Sequence, residues 1–173
     1  MKILLMLNII SSIFMFSFGD QISSKYNGVV PQATTCDWSV TGAVVNPPQD
    51  QGYCGSCYSF AGKGAVEGRR FVTGGNAVDL SAQQIFDGTG GSCDCGGVAG
   101  STVFKFIQTN KGLCSNIDYP YSRVTYLGWG GSLSPPTCAN IPGTTVASYS
   151  QVYVCDQEGL KRAVKIQPIY ITS

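Results

Sequence analysis

The sequence predicts an α+β domain, and the order of its helical and strand patterns supports this prediction. Helical spacing of apolar and small residues occurs in 57–72, 79–87 and 96–112. An alternating run rich in Thr, Val and Tyr then predicts a strand within 144–154. We also expect a short helix over 155–167 and a final strand over 168–173. Three helices followed by a strand, a helix and a strand are typical of the α+β class.

The helix predicted over 57–72 contains three glycines, Gly62, Gly64 and Gly68, and is expected to end at Gly74–Gly75. Each glycine inside a helix costs about 1 kcal/mol relative to alanine. A helix tolerates this cost when another element packs closely against its small face. We therefore expect this helix to be central in the domain.

Local signals define the ends of the other elements. Ser81 is expected to cap the second helix, and Gln84, three residues later, completes a capping box. Gly112 is expected to cap the C-terminus of the third helix, and Asp156 the N-terminus of the last one. The proline-containing segment 36–52 is expected to be extended or turned.

Composition limits the classes of function. The chain has 173 residues, of which 43% are hydrophobic and 12% are charged, so it can form one ordinary domain with a packed core. The net charge is +1 and no run of like charges occurs. Nothing therefore indicates a nucleic-acid partner or binding to an anionic membrane surface.

The first 19 residues have the pattern of a secretory signal peptide. Lys2 precedes an apolar stretch, and residues 17–19 form a small-x-small cleavage site. The stretch is shorter than a membrane span and contains Asn8 and two serines, which favours cleavage over anchoring. We expect signal peptide 1–19, a short polar leader 20–35 and a domain over 36–173, in the secretory pathway and without membrane contact after cleavage.

Eight cysteines in a secreted chain are disulfide candidates by default, but Cys54 and Cys57 permit three interpretations. A redox C-x-x-C motif is normally found in a βαβ setting, and the segment before this pair is extended and proline-rich. A zinc site shared with Cys93 and Cys95 needs a shorter gap between the two pairs. The third interpretation makes Cys54 structural and Cys57 a nucleophile.

The physical chemistry of the stretch favours the third interpretation. Cys57 begins a predicted helix, whose unpaired N–H groups and positive end stabilise a thiolate. Gly52 and Gly55 let the backbone approach a substrate carbonyl. The side-chain amide of Gln51 and the backbone N–H of Cys57 can together form an oxyanion hole.

The stretch QGYCGSCYSFA, residues 51–61, resembles the active-site segment of the papain/cathepsin family of cysteine proteases. Further similar blocks follow in the same order: GAVEGR, LSAQQIFD, CGG, DYPY and LKRAV with QPIYI. The similarity covers about residues 35–173. It implies the helical lobe of a papain-like fold together with the first strands of its β lobe.

The resemblance also implies a function and the residues that carry it. Cys57 corresponds to the nucleophile of a cysteine-type endopeptidase, and Gln51 to its oxyanion-hole donor. Gly96 and Gly97 correspond to glycines whose backbone pairs with an extended peptide or protein substrate. The implied enzyme needs no cofactor or metal, is a monomer, and is secreted or lysosomal.

One feature of the family is missing. Papain-like enzymes use a His base and an Asn that orients it, roughly 130–150 residues after the nucleophile. The sequence contains no histidine, and that window lies beyond Ser173. We therefore expect negligible proteolysis from these residues alone. Two explanations remain open: an incomplete protease, which the ending within a predicted strand favours, or a non-catalytic, peptide-binding pseudo-protease.

The resemblance implies three disulfides and leaves one cysteine over. The expected pairs are Cys54–Cys95 and Cys93–Cys138, with the exchanged pairing of Cys93 and Cys95 left open, and Cys36–Cys155, which is similar to a bridge in mite-allergen relatives. Cys114 is expected to be a buried free thiol.

Overall fold

The computed structural model describes residues 13–16, 36–44, 46–91, 97–122 and 138–171. The helices are α1 (Cys57–Val72), α2 (Ala82–Gly88), α3 (Gly100–Thr109) and α4 (Gln157–Ile166). The strands are β1 (Ile13–Phe16), β2 (Tyr149–Val152) and β3 (Tyr170–Ile171). This order confirms the α+β class. None of the described helices has the length and apolar composition needed to cross a membrane.

Helix α1 occupies the centre of the fold and has the predicted bounds. It packs against α2, α3 and β3. A Cβ atom at Gly62 would lie 2.6 Å from Val103, and one at Gly68 would collide with the ring of Pro168. The prediction that the small face is covered is therefore confirmed at these two glycines. It is wrong at Gly64, where a Cβ would meet nothing within 4 Å.

Three charged side chains of α1, Lys63, Glu67 and Arg69, are buried, which the sequence pattern did not indicate. Lys63 Nζ lies 2.5 Å from Asp79 Oδ1 and donates to the carbonyl oxygen of Leu80 at 3.1 Å. Glu67 Oε1 accepts the backbone N–H of Leu80 at 2.8 Å and lies 3.4 Å from Lys63 Nζ. The pair therefore ties α1 to the segment that leads into α2.

The predicted helix caps are present, but the capping box is not closed. Ser81 Oγ accepts the backbone N–H of Gln84 at 2.9 Å, as expected. The side chain of Gln84 instead accepts the N–H of Cys114, whose carbonyl oxygen receives the N–H of Ser81. The backbone of Cys114 thus replaces the hydrogen bond that the Gln84 side chain would accept from the N–H of Ser81 in a capping box. Asp156 caps α4 as predicted, accepting the N–H of Gly159 at 2.7 Å.

The segment 36–52, expected to be extended or turned, contains a 3-10 turn over Trp38–Thr41, in which Asp37 accepts the N–H of Ser39 and caps the turn. The predicted end of the third helix needs correction. Helix α3 ends at Thr109 with Asn110 as its C-cap, three residues before the expected end. Gly112 lies in the following turn at φ +122°, beside the hydroxyl of Thr144.

The three strands form one sheet in the order β2-β1-β3, with β1 antiparallel to both neighbours. Its register pairs Phe14 with Gln151 of β2 and with Tyr170 of β3. The central strand therefore comes from within the predicted signal peptide. The leader 20–35 lies outside the described residues, and only residues 149–152 of the alternating run form a strand.

The hydrophobic core lies where the three N-terminal helices meet the last strand. The rings of Phe104 in α3 and Tyr170 in β3 meet edge to face, with centroids 5.4 Å apart. The fully buried core side chains include Leu80, Ile85, Val103, Phe104, Ile107, Leu113 and Tyr170. These residues hold α1, and with it the start of that helix, in place.

The disulfide pairing of Cys138 differs from the expectation. Cys138 is bonded to Cys114, with a Cα–Cα distance of 5.9 Å, so its expected pairing with Cys93 is wrong and Cys114 is not a free thiol. The segments that contain these two cysteines lie side by side, because the N–H of Ile141 donates to the carbonyl oxygen of Leu113 at 2.8 Å. This local pairing brings the two sulfur atoms together.

The expected bridge between Cys36 and Cys155 is also wrong, because both are free thiols. Cys36 Sγ donates to the carbonyl oxygen of Val164, near the end of α4, at 3.3 Å. The contact of Cys36 is thus with the last turn of α4, whereas Cys155 precedes its first turn, so the length of the helix separates the two thiols.

Candidate functional site

Cys57 is an exposed free thiol at the first residue of α1. Ser56 occupies the N-cap position, and its side chain makes no capping hydrogen bond to the helix. Instead its backbone N–H donates to the carbonyl oxygen of Cys54 at 2.8 Å, which forms the turn into the helix. The sulfur is therefore presented at the positive end of a helix that is otherwise embedded in the fold.

The two cysteines of the motif differ in chemical state. Cys54 is buried and disulfide-bonded, as expected, whereas Cys57 is free. The two therefore do not form a redox disulfide with each other, and Cys54 offers no thiolate to a metal. The expected partners of Cys54, residues 93 and 95, lie outside the described residues.

Gln51 lies beside the residues that lead into the helix. Its Nε2 donates to the carbonyl oxygen of Cys54 at 2.8 Å, the same oxygen that receives the N–H of Ser56. A carboxamide carries two N–H protons, so this bond leaves one for an oxygen atom bound next to Cys57. The intervening Gly52 has φ +65°, a conformation that glycine adopts without strain.

The residue after Cys57 anchors the start of α1. Tyr58 is buried and stacks on Phe86 of α2 with ring centroids 6.2 Å apart. Burial raises the pKa of its hydroxyl. Tyr58 therefore holds the first turn of α1 against α2 while the thiol of Cys57 points to solvent.

Sequence analysis missed two residues of the site. Tyr121 places its hydroxyl 2.6 Å from Ser56 Oγ and 2.9 Å from the carbonyl oxygen of Gln51. Its signal was DYPY, residues 118–121, which was noted only as one of the blocks of similar sequence. Ser56 lies within the CGSC stretch and is fully buried.

The expected substrate-binding glycines are placed only in part. Gly55 lies in the turn before the helix, and Gly97 is exposed at φ +54°. Gly96 lies outside the described residues. The roles of these glycines stay predictions.

Comparison with known proteins identifies the family. The profile of the papain family of cysteine proteases matches residues 32–173. The chain belongs to this family. Germination-specific cysteine protease 1 of Arabidopsis thaliana is 34% identical over 159 residues, covering 87% of this chain and 39% of that protein. The cathepsin L-like peptidase of Aedes aegypti is 37% identical over 136 residues, covering 76% and 37%.

A solved structure has also been matched to this papain-family chain. The cysteine protease CMS1MS2 of Carica candamarcensis, in complex with E-64, is 35% identical, with a TM-score of 0.45, and the match covers 51% of this chain and 40% of that one. The chain spans about two fifths of the length of the Arabidopsis thaliana and Aedes aegypti relatives. The papain family comprises proteases that act on peptides, so the family and the α+β fold class implied by the sequence are confirmed.

Proposed function

We propose that this papain-family sequence serves cysteine-type peptide-bond hydrolysis, with Cys57 as the nucleophile and Gln51 as an oxyanion-hole donor. The observation that carries this proposal is the free, exposed thiol at the N-terminus of α1, next to an amide held by Cys54. Cys54 is disulfide-bonded and is given a structural role.

The proposed chemistry follows from these groups. The sulfur of Cys57 attacks the carbonyl carbon of an extended peptide, and the carbonyl oxygen becomes negatively charged. The second Nε2 proton of Gln51 and the N–H of Cys57 stabilise this oxygen. The amine then leaves with a proton, and water hydrolyses the thioester. Gly96 and Gly97 are proposed to pair with the main chain of the substrate.

The proton transfers need a partner that these 173 residues do not contain, because the sequence has no histidine. We therefore propose that peptidase activity belongs to a longer protein that supplies the base. The chain alone is expected to give negligible turnover of a fluorogenic peptide. Turnover that disappears in Cys57→Ala would contradict this expectation.

Selective alkylation tests the role of Cys57. The chain contains a second exposed free thiol, Cys155, which serves as an internal control. A peptidyl epoxide is expected to label Cys57 faster than Cys155 by more than tenfold, after each rate is divided by that for iodoacetamide. Peptide mapping by mass spectrometry measures both rates. Equal normalised rates would overturn the assignment of Cys57 as the nucleophile.

The absence of histidine favours a second candidate, a pseudo-protease that binds peptides without cleaving them. This candidate predicts that Cys57→Ala retains peptide affinity and that Cys57 reacts no faster than Cys155. A protease fragment predicts preferential labelling of Cys57. The normalised alkylation ratio therefore separates the two candidates.

We also propose how the chain is processed and where it acts. Cleavage after Gly19 would give a mature chain that begins at Asp20, with a short leader over 20–35 and a papain-like domain over 36–173. The protein would then be secreted or lysosomal, and monomeric. N-terminal sequencing of the secreted protein tests the cleavage, and light scattering tests the monomer.

A further inference from the structure

Tyr121 connects the two ends of the loop that precedes Cys57. Its hydroxyl donates to the carbonyl oxygen of Gln51 at 2.9 Å and lies 2.6 Å from Oγ of Ser56. These contacts span 70 and 65 residues of sequence. The ring meets Phe60 of α1 at a centroid distance of 4.7 Å, edge to face, which fixes where the hydroxyl lies.

The chemistry of these three groups sets the direction of both hydrogen bonds. A carbonyl oxygen only accepts, so the single proton of the Tyr121 hydroxyl goes to Gln51. The proton of the shorter contact must then come from Ser56, whose side chain is fully buried. The result is a directed chain from Ser56 through Tyr121 to the backbone of Gln51.

These two hydrogen bonds connect the ends of the loop that carries the proposed oxyanion hole. Its two donors are the side chain of Gln51 at one end and the N–H of Cys57 at the other. Between them lie two glycines, and Gly52 is at φ +65°. A loop with this freedom needs an external contact to keep its donors at one separation, and oxyanion stabilisation depends on such fixed geometry.

We infer that Tyr121 is a positioning residue for the oxyanion hole, acting through its hydrogen bonds to Gln51 and Ser56. The inference rests on the proposed function, in which those donors stabilise an oxygen next to Cys57. By this inference the DYPY motif contributes to the reaction as well as to the fold of its loop. Tyr121 itself does not touch the substrate.

Two probes of Cys57 separate positioning from general damage in Tyr121→Phe, which retains the ring. Iodoacetamide alkylates the sulfur with loss of iodide and release of the thiol proton to solvent, and its carbonyl group is not attacked. Acetyl-Leu-Leu-norleucinal adds instead to the thiol: a carbon–sulfur bond forms, and the thiol proton is transferred to the aldehyde oxygen. Only the aldehyde adduct places an oxygen where the Gln51 amide is proposed to donate.

Tyr121→Phe is expected to weaken aldehyde binding about tenfold while the iodoacetamide rate changes by less than twofold. Ser56→Ala is expected to act in the same direction. Tyr119→Phe is the matched control, because it removes the other hydroxyl of the motif, which donates to Asp87, and should leave aldehyde binding unchanged. Equal losses with both probes, or no loss with either, would overturn the positioning role.

The side-chain amide of Gln51 gives a readout that does not depend on the reaction. In an NMR spectrum of the full chain, Tyr121→Phe should move the Gln51 Nε2 proton signals towards their values in a free peptide, and Tyr119→Phe should not. An unmoved Gln51 signal would refute the inference. If the aldehyde fails to bind the unaltered chain while this shift is present, the proposed function fails and the positioning of Gln51 by Tyr121 stands.

Discussion

Lys63 Nζ lies 3.4 Å from Oε1 of Glu67, one turn apart on α1, and both side chains are buried. The ammonium is nearer to Asp79, at 2.5 Å, so the lysine is shared between two carboxylates. Burial is the largest influence on Glu67 and raises its pKa from 4.5 to about 7, although Lys63 opposes the rise. The fold therefore contains a buried carboxyl that releases its proton near neutral pH.

This pair predicts a stability that falls as pH rises from about 4.5 to about 7. In this interval the folded state holds a proton on Glu67 that the unfolded state has released, so folding is favoured more at the acidic end. A shift of this size corresponds to about 3 kcal/mol of unfolding free energy. Glu67→Gln, which can still accept the Leu80 N–H, should remove this decline when urea unfolding is measured across the interval.

The sequence makes this measurement easy to assign. Histidine is the side chain that ordinarily titrates between pH 5 and 8, and the chain contains none. Glu158→Gln is a suitable control, since Glu158 is exposed and pairs with Lys161 on the surface of α4. If Glu67→Gln and Glu158→Gln give the same dependence on pH, the buried carboxyl is not its source.

The glycines of α1 should respond to alanine in opposite directions. Gly64→Ala is expected to stabilise the protein by about 0.5–1 kcal/mol, because alanine favours the helix and the space around its Cβ is open. Gly68→Ala is expected to destabilise it by about 1–3 kcal/mol, because the new Cβ collides with Pro168. Thermal unfolding of the two variants provides the comparison. Destabilisation by Gly64→Ala would show that this face of the helix is covered.

The disulfide between Cys114 and Cys138 should contribute measurably to stability. It closes a loop with a sequence separation of 24, for which the typical contribution is about 3 kcal/mol. Replacing both cysteines by serine should lower the urea midpoint by a corresponding amount. Cys155→Ser is the matched control, because that thiol is free and exposed. An unchanged midpoint in the double variant would contradict the pairing.

Removal of the predicted signal peptide, residues 1–19, should weaken the sheet, because β1 lies between β2 and β3 and pairs with both. Without it, each neighbouring strand loses its backbone partners along one edge. The amides of Tyr149–Val152 should therefore exchange with deuterium faster in the chain that begins at Asp20 than in the full chain. Equal protection in the two chains would mean that β1 does not support β2.

The sequence alone determined the bounds of α1, the caps at Ser81 and Asp156, and the family. These features depend on local chemistry: a helix cap needs one side chain and one N–H a few residues away. The candidate nucleophile was located in the same way, since Cys57 and Gln51 lie six residues apart in one recognisable stretch. These features could be predicted because they do not depend on contacts between residues that are distant in the sequence.

Only the tertiary structure decided the pairing of Cys138 with Cys114, the burial of Lys63 and Glu67, and the placement of Tyr121 against the loop that precedes Cys57. Each depends on which segments come to lie side by side. A cysteine bonds to the sulfur that the folded backbone brings within reach, and a charge is buried where a partner from another segment compensates it. Spacing along the chain carries neither kind of information.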